Sequence, residues 1–294
     1  MSPKNKRKQK DKKKGKDKHH KGEARMAELA DKHVLYQKSV QAPEAEVEFF
    51  EKTYQTLRGH KAQLMREDFC GTAYLSTSWC QSDPQRTAIG VDICGDTLAW
   101  GKQHNVQPAG EDVARRVTLI QDDVRTAQAE PADITCALNF SYCIFKTREE
   151  LRRYFEAARQ GLKADGLFVL DLFGGTECMD VLEEETDIDG EPATYVWDQD
   201  KFNPINNHIL CHIHFKFDDG SRLKKAFTYD WRLWSIPEIT ELLQEAGFSK
   251  VHVYWERFEE SDDDDDELEG TGEYYEATEA ENQESWMTYI VAEK

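Results

Sequence analysis

Carboxylates and small residues recur at intervals through the first half of this chain, each set following a short apolar run. The first is Leu64-Met65-Arg66-Glu67-Asp68-Phe69-Cys70-Gly71-Thr72-Ala73. It reads as the end of a buried strand, two carboxylates, a small-residue turn, and a helix from about Tyr74 to Trp79. A strand that breaks through such a turn into a helix leaves backbone N–H groups free at its tip. With no side chain at Gly71 and a methyl at Ala73, a ligand can approach the main chain closely. Roughly twenty residues on, Thr87-Ala88-Ile89-Gly90-Val91-Asp92 is a second buried strand ending in an acid. An acid at that place in a βαβ unit can accept hydrogen bonds from both hydroxyls of a ribose. Val117-Thr118-Leu119-Ile120-Gln121-Asp122-Asp123 closes a third strand in carboxylates, and Ala132–Asn139 is a fourth that runs into Phe140-Ser141-Tyr142.

Four consecutive strand ends therefore carry polar groups where an open α/β sheet binds its ligand. The ordered series resembles a class I S-adenosylmethionine-dependent methyltransferase. More narrowly, Glu67–Ala73 together with Tyr229-Asp230-Trp231-Arg232-Leu233-Trp234 resembles a group of such enzymes of unassigned substrate. The similarity runs from about Asp31 to the C-terminus. It implies S-adenosylmethionine as cofactor and a Rossmann-like α/β sheet of seven strands, mostly parallel, with the last antiparallel and helices on both faces. It also implies that Glu67 and Gly71 hold the methionine end, Asp92 the ribose and Asp123 the adenine amino group. Asn139 lies where main-chain groups meet the cofactor's amino group. Cys70, Ile93, Asp122, Val124 and Phe140 join them on the cofactor-binding side. The turn departs from D-x-G-x-G-x-G in that Phe69 and Ala73 replace two glycines, so either Glu67 or Asp68 is the first-strand acid.

Other elements must position these residues. Ala45–Leu57 is an amphipathic helix with Val47, Phe50, Tyr54 and Leu57 on one face, stopped by Gly59. Before it, Ala24–His33 begins a helix, and Val34–Gln41 is a polar-aromatic approach whose Tyr36 either lines the site or packs on the sheet edge. Arg148–Leu162 is a helix, and Leu167–Phe173 a central parallel strand. Asp171 inside that strand needs a partner or a place facing the pocket, because a lone buried charge is costly. From about 180 to 230 the strand–helix alternation stops. Thr194–Trp197, Ile209–Phe217 and Arg222–Tyr229 read as a small antiparallel sheet inserted after strand five, with a hairpin at Asp218-Asp219-Gly220. Its Trp197, Tyr229, Trp231 and Trp234 form either an aromatic lid or cage at the site or the insert's own core. His212 and His214 share a face but have no third metal ligand at fixed spacing, so no metal site is expected.

Ser235-Ile236-Pro237-Glu238 starts a further helix, which Gly247 stops, and Val251–Trp255 is the sixth strand. The acid-dominated stretch 259–273 is expected to be a solvated loop, and Trp286–Ala292 the final strand, which the resemblance implies enters antiparallel between the fifth and sixth. The chain thus divides into a disordered lysine-rich tail (1–23), a helical segment (24–60), a cofactor-binding half (61–179), the insert (180–231) and a C-terminal part (232–294). The length and a hydrophobic fraction of 39% suffice for one sizeable α/β core.

No apolar run is long enough to span a bilayer, and seven cysteines with no C-x-x-C read as reduced thiols, so the cytoplasm is expected. Residues 1–22 hold eleven Lys/Arg against two Asp, which leaves −28 for the rest, since the whole carries −19. A basic head can reach for nucleic acid, but the acidic body repels a phosphate backbone. Three readings follow: a methyltransferase of a small molecule, one of RNA or protein using the tail, and a non-catalytic cofactor-binding protein. A nicotinamide dehydrogenase fits less well, because the first turn lacks G-x-G-x-x-G. Tyr36, Tyr142, Asp171 and Trp231 are the candidates to meet the acceptor. Asp171, Asp230, His212 and Tyr142 are possible bases, and no catalytic residue is singled out.

Overall fold

A computed structural model describes residues 24–260 and 268–294. The expected tail, 1–23, lies outside the described residues. Three helices lead into the body: α1 (Met26–Leu29), α2 (Lys32–Val40) and α3 (Pro43–Arg58). The segment around Tyr36, expected as an approach, is helical instead. Asp31 caps it by accepting from the His33 N–H at 2.8 Å, and Leu35 is its one buried residue, too little to print a stripe. Helix α3 begins with Pro43 and acids at its positive end and stops at Gly59, whose φ of 76° suits glycine.

The strand–helix alternation then follows the sequence: β1 (Leu64–Asp68), α4 (Tyr74–Ser82), β2 (Thr87–Asp92), α5 (Gly95–Gly101), α6 (Glu111–Arg116), β3 (Val117–Gln121), β4 (Ala132–Ala137), α7 (Arg148–Gln160) and β5 (Leu162–Gly174). The insert comprises β6 (Leu182–Asp187), β7 (Ala193–Asn203), β8 (His208–Phe217) and β9 (Arg222–Arg232). Helix α8 (Ile236–Glu245), β10 (Lys250–Glu260), β11 (Leu268–Glu276) and β12 (Trp286–Glu293) complete the chain. The large sheet is ordered β11-β10-β12-β5-β4-β1-β2-β3, with β1 to β5 parallel and β12 antiparallel between β5 and β10. The last strand thus enters where it was expected.

Two expectations need correction. The sheet has eight strands, because β11 adds antiparallel to β10, with Phe258 opposite Gly270 and Glu260 opposite Leu268. Both flanks of the acid-rich stretch 259–273 are therefore strand, and only its tip lies outside the described residues. Pairing joins backbone groups, which acidic residues carry as well as apolar ones. The insert likewise has four strands, order β6-β7-β8-β9, and Leu182–Asp187, exposed from Glu183 on, forms its edge. Among the described residues no helix is long and apolar enough to cross a membrane.

Period two divides β1 between two cores. Met65 and Glu67 face α3 and α4, where Val47, Phe50, Tyr54 and Trp79 pack; Leu64, Arg66 and Asp68 face α7 and α8, where Leu151, Tyr154, Phe155 and Leu242 pack.

Candidate functional site

The tip of β1 turns through three left-handed residues, Phe69 (φ 59°), Gly71 (φ 51°) and Ala73 (φ 53°). Two of them carry side chains, so the turn keeps glycine-type geometry at two positions that are not glycine. Phe69 is held there by its ring, 5.6 Å from Tyr154 and 6.1 Å from Phe145 between centroids. The turn is also pressed from outside. A Cβ on Gly101 would sit 2.2 Å from the Thr72 carbonyl oxygen, so α5 can approach only with glycine there. Cys70, buried, donates its N–H to the Val91 carbonyl at 3.0 Å and ties β1 to β2.

The two candidate acids of β1 are separated by the pleat. Asp68 accepts from Arg66 Nε at 2.7 Å and from the Tyr154 hydroxyl at 3.0 Å, and Arg66 also donates to the carbonyls of Val124 and Ala127. Asp68 is therefore a buried carboxylate on the α7 face, bonded to Arg66 and Tyr154 and turned away from Glu67. Val124 is buried and serves that network through its carbonyl. Glu67, on the other face, accepts from the Ser76 N–H at 2.9 Å and its hydroxyl at 2.5 Å. Burial outweighs those bonds and pushes its carboxyl up to about 7.

Asp92 bridges the tips of the first two strands. One oxygen accepts from the Gly71 N–H at 2.9 Å, the other from the Cys94 N–H at 2.8 Å. Beside it Ile93 is 71% exposed, an apolar side chain standing at the rim. Asp122 is exposed and donates its N–H to the Asp92 carbonyl at 3.2 Å. Asp123 is held by Arg125, whose guanidinium lies 2.5 Å away and keeps the carboxyl below its ordinary range.

At the tip of β4, Asn139 (φ 54°) and Phe140 (φ 57°) both donate N–H groups to the Asp171 carboxylate, at 2.6 and 2.9 Å. Asp171 is thus a positioning group for that loop. Burial pushes its carboxyl up to about 7 against those two bonds. Tyr142, a candidate acceptor contact, is fully buried and donates its hydroxyl to the Asp171 carbonyl at 2.8 Å. Trp231, 3% exposed, stacks on Tyr229 at 4.3 Å and lies edge-on to Phe140 at 6.3 Å. It joins the insert to the β4 tip rather than standing free in a cavity. Tyr36 rests against the Phe227 ring at 4.9 Å, and burial pushes its hydroxyl up to about 12. Of the possible bases, His212 bonds Thr228 at 2.9 Å, and Asp230 pairs with Lys146 at 2.5 Å.

Two residues were missed. Gln37 on α2 donates to the Thr72 hydroxyl at 2.8 Å and lays that helix across the turn. Glu46 on α3 is half-buried, and burial with the nearby anions Asp171 and Glu67 raises its carboxyl to about 8. The signal for Glu46 was in the helix itself: it precedes Val47 and stands four residues before Phe50, against the buried stripe. Glu46, Glu67 and Asp171 share the α3 face of the sheet, and among the described residues no cationic side chain offsets them.

Between the insert and the sheet lies a cavity of about 570 Å³. Phe140 and Phe173 form its wall at the β4 and β5 tips, and Trp197 and Trp286 flank it.

No model of a known protein family matches the chain, and no curated protein matches its sequence. Solved structures do match its shape. An S-adenosylmethionine-dependent methyltransferase from Clostridium acetobutylicum superposes with a TM-score of 0.64 at 13% identity, covering 89% of this chain and 96% of that one. An amino pentose methyltransferase from Micromonospora echinaspora, solved with S-adenosylmethionine bound, gives 0.61 at 14% identity over 94% of this chain and 100% of that one. A sugar N-methyltransferase from Streptoalloteichus gives 0.60 at 16%, covering 95% of this chain and 98% of that one. The chain therefore shares the Rossmann-like fold of these methyltransferase structures.

Proposed function

We propose that the protein is an S-adenosylmethionine-dependent methyltransferase acting on a small molecule. The observation that carries this reading is the set Glu46, Glu67 and Asp171 on one face of the sheet, three carboxyls raised chiefly by burial, Glu46 also by the other two, with no cationic side chain offsetting them among the described residues. Such a set is costly in isolation and suits a ligand that brings positive charge. The residues fit S-adenosylmethionine, which carries an ammonium and a sulfonium. Glu67 and the Gly71 turn would hold its methionine end, Asp92 its ribose, and Ile93 would cover its adenine. Asp122 is better exposed than Arg125-bound Asp123 to meet the adenine amino group.

When bound, the cofactor supplies an already activated methyl group, so the chain has chiefly to align an acceptor and exclude water. Asp171 fixes the Asn139–Phe140 loop between the cofactor half and the cavity, and α2 closes over the turn through Gln37. The cavity under the insert is of small-molecule size. The acidic body argues against RNA as acceptor.

Calorimetric titration of S-adenosylmethionine into the protein and its Asp92→Ala variant tests the reading. The variant should bind more weakly by roughly 1–3 kcal/mol, through loss of ribose contacts and of the bond to Gly71 N–H. Binding of NAD in place of S-adenosylmethionine would end the claim.

A further inference from the structure

The cavity beneath the insert has a chemical character of its own. Besides six aromatic side chains it is lined by Glu177, Glu184 and Glu256, and no lysine or arginine lines it among the described residues. Two close approaches build the wall. A Cβ on Gly174 would lie 2.3 Å from the Trp286 ring, so that indole rests directly on the end of β5. A Cβ on Gly270 would lie 2.4 Å from a Glu256 oxygen, and the same oxygen accepts from the Gly272 N–H at 3.1 Å, which fixes that carboxylate in place. Glu177 is held above its ordinary range by burial and by Glu284, Glu184 and Asp180 around it. Anionic acceptors meet repulsion here, and cations meet both carboxylates and ring faces.

The placement of the acids narrows the class further. They come from the turn after β5, from β6 and from β10, whereas the wall facing the cofactor half is Phe140. A carboxylate beside the reacting nitrogen would keep it protonated, since an opposite charge at close range shifts a pKa by about 1–3 units. An alkylamine is already about a thousandfold protonated at neutral pH, so each further unit removes tenfold of the nucleophile. Aromatic faces favour the charged form far less. The glutamates are therefore suited to nitrogens that do not react.

We infer that the acceptor is an aliphatic di- or polyamine without phosphate, its distal ammonium groups held by Glu177, Glu184 and Glu256 and its reacting nitrogen at Phe140. The inference rests on the methyltransferase reading. The reacting nitrogen first gives a proton to water. Its lone pair then forms the C–N bond to the methyl as the C–S bond breaks, the bonding pair returns to sulfur, and the resulting methylammonium loses its surplus proton to water.

The test uses the full chain. Spermidine and butylamine are titrated calorimetrically in the presence of S-adenosylhomocysteine, and labelled methyl transfer is followed onto spermidine, putrescine, butylamine and phosphoethanolamine. Spermidine should bind at least about tenfold tighter than butylamine and be methylated in preference to phosphoethanolamine. Glu184→Gln and Glu256→Gln should each weaken spermidine binding by about tenfold, the effect of one charge-assisted contact, while S-adenosylmethionine affinity stays unchanged. Normal cofactor binding with equal spermidine and butylamine affinities, with preference for the phosphate, or with no amine methylated would overturn the polyamine assignment alone. Absence of cofactor binding would remove both readings.

Discussion

The three raised carboxyls make a pH-dependent protein. Glu67 and Asp171 titrate at about 7 and Glu46 at about 8 in the folded chain, all above their ordinary values. The folded state then binds more protons than the unfolded one between those limits, so unfolding free energy should fall as pH rises through about 7 to 8. Denaturant titrations between about pH 5 and about pH 8 measure this. Over the same window the affinity for S-adenosylmethionine should rise as the carboxyls ionise, and that for uncharged-sulfur S-adenosylhomocysteine should rise less. A flat profile for both ligands would remove these carboxyls from the site. Asp68 differs from its neighbour in having a cation built in, the Arg66 guanidinium at 2.7 Å, although burial still holds its carboxyl above the ordinary range. Replacing Arg66 by Met should leave Asp68 as a lone buried charge and destabilise the fold by about 3–5 kcal/mol. Thermal or chemical unfolding reads that loss; S-adenosylmethionine affinity of the folded fraction should not change.

At the scale of the element, the β1–α4 turn sets packing against backbone strain. A left-handed non-glycine residue costs about 1–2 kcal/mol, and Phe69 accepts that cost to place its ring against Tyr154 and Phe145. Removing a well-packed phenylalanine side chain costs about 3–5 kcal/mol, so packing wins. Phe69→Gly should lower stability by about 2 kcal/mol in spite of restoring the glycine, and a rise in Tm would show that strain dominates. The same comparison explains why a motif written in glycines can survive as geometry when two of them are gone. The insert joins the sheet through aromatic contacts: Trp231 reaches Phe140 and Phe173, and Trp197 lies 6.3 Å from Trp231. The alternatives of lid and insert core are thereby divided between residues, with Trp231 in the core and Trp197 on the cavity.

For the whole molecule, charge sets the partners. The chain beyond residue 22 carries −28, which draws cations and repels nucleic acid, while the head carries the opposite sign. A variant lacking residues 1–22 should keep full cofactor affinity and full transfer to amines. Loss of RNA-dependent methylation on that truncation, measured with labelled cofactor on fractionated extract, would instead favour the RNA reading.

The sequence by itself determined the parallel half of the sheet, the amphipathic helices and the strand-end acids, because each rests on local periodicity and on turns that need small residues. Its apolar run marked Trp286–Ala292 as a strand, but the reversed direction and the place between β5 and β10 came from the family resemblance, because an apolar run says nothing of which neighbours a strand pairs with. The sequence left Glu67 and Asp68 equivalent, although they are adjacent; only the pleat, with Ser76 on one face and Arg66 on the other, told them apart. It missed the edge strands β6 and β11, whose pairing is decided by the free edge of a neighbouring strand. It missed Glu46 and Gln37 for the same reason. Their meaning lies in what stands opposite them across the fold, and distance along the chain carries no record of that.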